Sequence, residues 1–180
     1  MPPRRTLLGW ALGGALGFGV AVLQGCGWTP LYANSASGPA DAELRAIRVA
    51  PVPERIGETL TMALRQSLNP NSNPTPPRYL LRITLHTARS DLGIQTQGLG
   101  TRGRFDAYAT FVLSDIKSGA QLQSGNSHIA DSFDILANEY SNIVAEDDAR
   151  KRAVEELADD ITNRLTVFLQ RRAALAAAAR

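Results

Sequence analysis

The sequence predicts an α+β domain, a two-layer sandwich in the order β-α-β-β-β-α with two helices on one face of a four-stranded sheet. Three observations carry this. Strict alternation runs from Tyr79 to Ser90, with Leu81, Ile83 and Leu85 pointing one way and Arg82, Thr84 and His86 the other; that is the period of a half-buried strand. Helical spacing recurs twice, through Ile56, Leu60, Ala63, Leu64 and Leu68, and through Val154, Leu157, Ala158, Ile161, Leu165 and Phe168, giving each segment one apolar face. Short polar connections join the later alternating stretches, as in an antiparallel meander.

Residues 1–25 stand outside the fold as a secretory signal. Arg4 and Arg5 begin it, and Leu7 to Leu23 is an uncharged run rich in Leu, Ala and Gly. The run lies at the bottom of the roughly 17–25 residues of a transmembrane helix. Gly9, Gly13, Gly14, Gly17 and Gly19 weaken it as a helix by about 1 kcal/mol each; a retained N-terminal anchor is the alternative reading. The run ends in Leu23-Gln24-Gly25-Cys26, which resembles the lipobox of bacterial lipoproteins. Cys26 is the only cysteine, so no internal disulfide can use it. Its place between an apolar run and a Gly/Pro-rich stretch suits acylation better than burial, and it is the expected lipidation site. The Arg4-Arg5 pair leaves general and twin-arginine export both open.

Residues 26–40 read as a lipidated tether, with Pro30, Gly38 and Pro39 and no periodicity. Trp28, Leu31 and Tyr32 within it suit docking on the domain or at lipid headgroups. The domain spans 41–172. Leu44 to Val52 is a short first strand closed by Pro51 and Pro53. A helix follows from Glu54, with Glu54 and Glu58 in its first turns, and Asn69-Pro70 ends it. Tyr79 to Ser90 is the second strand. Arg104 to Asp115 is the third, with Phe105, Ala107, Ala109, Phe111 and Leu113 on one face. After a turn at Lys117-Ser118-Gly119, Gln121 to Phe133 makes a fourth whose buried face the parity does not decide. The last helix covers roughly Ile143 to Arg172, acidic at its start and basic at its end. Residues 173–180 form an Ala-rich tail that extends it weakly or frays.

After the signal, basic and acidic side chains balance at seventeen each, so the pI near 9.0 does not indicate nucleic-acid binding. The charge is split: residues 26–105 hold nine arginines against five carboxylates, and residues 106–180 hold eight basic against twelve acidic side chains. An anionic partner is therefore expected at the first half. Gly98-Leu99-Gly100-Thr101-Arg102-Gly103 spells G-x-G-x-x-G, but that fingerprint requires a strand leading into a helix. Here a strand follows, and the pattern reads as a mobile hairpin loop. No other phosphate, hydrolase or zinc motif is present. His86 and His128 lie far apart without a local carboxylate or cysteine cluster, and Asp147-Asp148 and Asp159-Asp160 fall on a solvated helix face. Neither catalysis nor a metal or cofactor is expected.

What remains suits binding. Arg78, Arg82 and His86 share one parity, Arg104 and Tyr108 share it on the next strand, and Arg102 lies in the loop between. Together they can form a basic, partly aromatic stripe whose guanidinium forks match phosphate; an ordinary solvated sheet face is the other reading.

Cys26-Gly27-Trp28-Thr29-Pro30-Leu31-Tyr32-Ala33 resembles the mature start of the LPS-assembly lipoprotein family LptE in its alphaproteobacterial form. Ala145-Glu146-Asp147-Asp148-Ala149-Arg150 through Glu155-Glu156-Leu157-Ala158-Asp159-Asp160-Ile161 resembles that family's last helix. The likeness covers most of residues 26–172; Gln24, bulkier than usual, and the sparse lysines depart from it. The resemblance implies a non-enzymatic outer-membrane lipoprotein, lipid-anchored at the periplasmic face. It would act as plug and assembly partner of the LptD β-barrel and assist lipopolysaccharide transport, with Arg78, Arg82, Arg102, Arg104 and Tyr108 as candidate lipopolysaccharide contacts. A generic envelope lipoprotein adaptor without a ligand is the alternative.

Overall fold

The computed structural model describes residues 39–72, 75–94 and 100–179; the signal, Cys26 and the tether up to residue 38 lie outside them, as do residues 95–99. In chain order the elements are α1 (Pro39–Arg45), β1 (Ile47–Val49), α2 (Arg55–Leu68), β2 (Tyr79–Ile94), β3 (Gly100–Asp115), β4 (Gln121–Asp134) and α3 (Glu139–Ala178). The four strands make one sheet in the order β1-β2-β3-β4. β1 pairs parallel to β2, with Ile47 opposite Tyr79 and Val49 opposite Leu81, so α2 is the crossover that a parallel pair requires. β2, β3 and β4 form the antiparallel meander.

The register defines two ends. At the base, Tyr79 faces Asp115 and Ser114 faces Gln121; at the tip, Leu92 faces Arg102, which in turn faces Asp134. α2 and α3 both run from the tip side toward the base. Near their starts Arg55 and Lys151 line one cleft, and further on the Ser67 hydroxyl donates to Asp159 at 3.5 Å.

The period-2 pattern decides what is buried. Leu81 and Ile83 of β2 and Phe105, Ala107, Ala109, Phe111 and Leu113 of β3 all turn inward. They meet Leu60, Leu64 and Leu68 of α2 and Val154, Leu157, Ile161, Leu165 and Leu169 of α3 in one cluster. Burying a side chain of this size stabilises by roughly 1.5–3 kcal/mol. The alanines of β3 let the helices lie close, while aromatic rings fill the flanks. The Phe111 ring lies across Gly125 and the Phe133 ring across Gly103; a Cβ built on those glycines would come within 2.8 and 2.2 Å of the rings. Thr61 closes the top of α2: its hydroxyl donates to the Gly57 carbonyl at 2.8 Å and accepts from the Val52 amide at 3.3 Å.

The expected layers, strand order and helix placement hold, with local corrections. The first strand was expected over Leu44–Val52, yet Pro39–Arg45 is helical and the strand keeps only Ile47–Val49. α1 thus takes in the last residues assigned to the tether. Asp41 in its first turn and Arg45 in its last suit the helix dipole and pair with each other. Gly100 to Gly103 belongs to β3, and β2 continues to Ile94, so this half of the G-x-G-x-x-G pattern is strand; Gly98 and Leu99 lie outside the described residues. Arg102, expected in the loop, is a strand residue. α3 begins four residues before Ile143 and continues through the tail to Ala178.

Candidate functional site

Residues of opposite parity to the core line the sheet face that carries no helix: Arg82, Thr84 and His86 on β2, Arg104, Tyr108 and Thr110 on β3, and Asn126, His128 and Ser132 on β4. Most of them are exposed and all can hydrogen-bond. At its middle, His86, Tyr108 and His128 stand opposite one another across three strands. The Tyr108 and His128 rings stack with centroids 4.2 Å apart and planes 3° from parallel, a contact worth about 0.5–1.5 kcal/mol for aromatic pairs.

Asp106 ties this row to the arginines. Its carboxylate side chain is 10% exposed, and Oδ1 accepts from Arg104 Nη2 at 2.8 Å, Arg104 Nε at 3.2 Å and His128 Nε2 at 2.8 Å. Burial alone would raise its pKa. The hydrogen bonds from His128 and Arg104, with their charges, outweigh burial and hold the carboxyl below the usual carboxylate value. The network fixes one Arg104 edge and one imidazole edge.

The predicted stripe is therefore not one cluster. Arg82 points from the open face and makes no ion pair among the described residues. Arg104 lies eight positions along the register from it, about 27 Å at strand rise. Arg102 reaches Asp134 at 3.9 Å on the tip. Arg78 leaves the stripe: it pairs with Glu43 of α1 and lies over the Tyr79 ring at 5.5 Å. Tyr108 sits centrally, 45% exposed. Cys26 is outside the described residues.

Asp106 and His128 were not legible as partners. Both look like solvated strand residues until the β3–β4 register is known, and a register shift between Leu113 and Ser114 breaks simple counting. The paired carboxylates of α3 are structural: Asp160 accepts from Ser127 at 2.5 Å and from Arg164 at 2.8 Å, and Asp147 pairs with Arg150 at 3.4 Å. No group of three potential metal ligands occurs among the described residues.

A second concavity opens on the helix side. Between the starts of α2 and α3 lies a cleft of about 880 Å³ floored by Ile56, Phe105 and Val154. Its rim mixes Glu54, Asp147 and Asp148 with Arg55, Arg89, Arg150 and Lys151. Arg150 lies 5.8 Å over the Phe105 ring and is paired with Glu146, which also holds Arg89 at 3.2 Å. Arg89 and Arg150 are thus engaged within the cleft, while Arg55 on its rim forms no ion pair among the described residues.

The model of the LptE family, described as lipopolysaccharide-assembly, matches residues 44–165. The structure is similar to a lipoprotein from Caulobacter crescentus at 22% identity, covering 73% of this chain and 96% of that one with a TM-score of 0.60. A minor lipoprotein from Acinetobacter baumannii aligns at 20% identity over 68% of this chain and 92% of its own, with a TM-score of 0.55. The rare lipoprotein B from Shewanella oneidensis aligns at 15% identity, covering 74% and 97% with a TM-score of 0.51. At these identities the likeness establishes the fold. No curated protein matches.

Proposed function

The chain belongs to the LptE lipopolysaccharide-assembly family, and from that premise we propose that it is an outer-membrane lipoprotein, held at the periplasmic face through a lipid on Cys26, that plugs the LptD β-barrel and assists its assembly. A role in lipopolysaccharide assembly follows from the family; the barrel, the anchor and a direct ligand contact are the parts proposed. The observation that carries the reading is the open sheet face. A two-layer sandwich leaves one face of its sheet without a helix, and this one carries mostly hydrogen-bonding groups, with Leu80, Ala88, Leu92, Val112 and Ala130 interspersed. Such a surface suits the polar lumen of an outer-membrane barrel. Arg82 and the outward edge of Arg104 supply charge-assisted donors for the phosphates of lipopolysaccharide.

Pull-down of the native lipoprotein with mass spectrometry tests the partner: a large β-barrel protein is expected, and its absence would leave the generic adaptor reading. For the ligand, the double variant R82E/R104E should bind lipopolysaccharide at least tenfold more weakly in vitro than the unaltered chain. Unaltered binding would remove these arginines from the site while leaving the barrel partnership standing.

A further inference from the structure

The base of the domain carries a surface that neither the core nor the open face uses. α3 runs to Ala178, yet its last buried residue is Leu169. Leu175, 72% exposed, continues the helix stripe of Phe168 one turn pair further on, and Arg171 and Arg172 flank that stripe at helical spacing. Beside it, the β3–β4 turn presents Ile116, 43% exposed, and Lys117. The two pieces share one end: α1 packs on α3, its Glu43 meets the Tyr79 hydroxyl, and Tyr79 faces Asp115 across β2 and β3 at the start of that turn.

The charge at this end is net positive, although Asp115 keeps its carboxylate charge without an ion pair among the described residues. Asp41 is paired with Arg45, Glu43 accepts from Arg78 and the Tyr79 hydroxyl, and Asp115 accepts from the Lys117 and Ser118 amides at 2.9 Å. Lys117, Arg171 and Arg172 form no ion pair among the described residues. Here too the chain enters the domain, because α1 packs on α3 and its Glu43 meets Tyr79. The twelve residues between Cys26 and Pro39 span at most about 40 Å, so an acylated Cys26 would keep this end near its bilayer without dictating which way it faces.

We propose that the base is a membrane-docking surface: Lys117, Arg171 and Arg172 bind the phosphates of anionic phospholipid headgroups while Leu175 and Ile116 enter the interface. This rests on the lipid-anchor reading, because the tether supplies the local concentration that makes so small a patch effective. It adds a fixed orientation, with the base at the headgroups and the tip as the far end of the domain.

The test uses the lipidated chain in phosphatidylethanolamine–phosphatidylglycerol vesicles, with a nitroxide at L175C and, separately, at Y140C on the tip. The label at 175 should be shielded from an aqueous relaxant and accessible to oxygen, and the label at 140 should show the reverse. Replacing the anionic lipid by phosphatidylcholine, or introducing K117A and R171A, should return the label at 175 toward water, with the docked population falling about fivefold per cation lost. R55E, an equal or larger charge change at the tip-side start of α2, should leave it in place. Unchanged melting temperatures verify that each variant is folded. A label at 175 that reports water in anionic vesicles while the protein still floats with them would overturn the proposal and spare the anchor. A chain that does not float at all, and takes up no fatty acid at Cys26, would overturn both.

Discussion

At the scale of single residues, two positions test whether the packing and charges act as described. Gly103 sits opposite Phe133, whose ring occupies the space a Cβ would need. Gly103→Ala forces that ring out of a buried site, and overpacking of this kind costs about 1–3 kcal/mol; urea denaturation should show it as a lower midpoint with an unchanged slope. The same position explains a glycine that, as part of G-x-G-x-x-G, invited a phosphate-binding reading. Asp106 gives a pH test. Its folded-state pKa is lowered despite burial, through His128 and Arg104, so its stabilisation is complete above the unfolded-state value and fades as pH falls through the folded one. Stability of the native chain should therefore drop below about pH 4. Asp106→Asn should be less stable at pH 7 and lose stability less steeply on acidification. An equal acid slope in the two proteins would show that Asp106 is not charge-paired in the folded state.

At the scale of elements, α3 shows how much local chemistry a helix start needs when packing is thin. Tyr140, Ile143 and Val144 are exposed, so the first turns gain little from burial. They are held instead by Asn138, whose Oδ1 accepts from the Tyr140 and Ser141 amides at 3.0 and 3.3 Å, and by Asn142, which donates to the Leu136 carbonyl at 2.9 Å and accepts its amide at 2.7 Å. Asn138→Ala should cost about 1 kcal/mol. Amide exchange should rise in residues 139–145 and remain slow around Leu157, where packing takes over. Elements of this kind divide by what the sequence can express. α2, β2, β3 and the body of α3 were legible because burial imposed a period on ten or more residues. α1 was not: seven residues carry too few apolar positions for a period, and it is held by Leu44 packing on the core and by Glu43 reaching Tyr79 and Arg78, contacts between distant parts of the chain. The face of β4 was undecidable for a related reason. Its inward residues include Ser127, Gly125 and Asp131, which are there to meet Asp160, the Phe111 ring and Arg152, so polarity along the strand does not report burial.

At the scale of the whole molecule, the described fold has one core, covered on one side only, and the helix that closes it is longer than the core requires. The charge split read from the sequence takes a spatial form in it: the acidic run of α3 begins on the tip side, where Glu146 engages Arg89 and Arg150, while unpaired cations collect at the base. Of the five residues singled out for ligand binding, Arg82, Arg104 and Tyr108 lie on the strands expected and Arg102 on β3 instead of in the loop, but parity could not reveal that Arg78 would be drawn to α1 or that Arg82 and Arg104 would stand far apart, because both outcomes depend on register and on α1. The surplus of α3 separates folding from surface function. A chain ending after Arg172 loses no fully buried side chain, since the last of these is Leu169, and its melting free energy should change by less than about 0.5 kcal/mol, as for surface changes elsewhere. A chain ending after Arg164 loses Leu165, Thr166 and Leu169 from the interior and should lose several kcal/mol, at about 2–5 kcal/mol for each large core side chain removed. Thermal melts of the two truncations therefore locate the end of the core. If the shorter deletion already lowered the melting temperature as much as the longer one, residues 173–178 would be part of the core's support, and Leu175 would not be free to serve a surface.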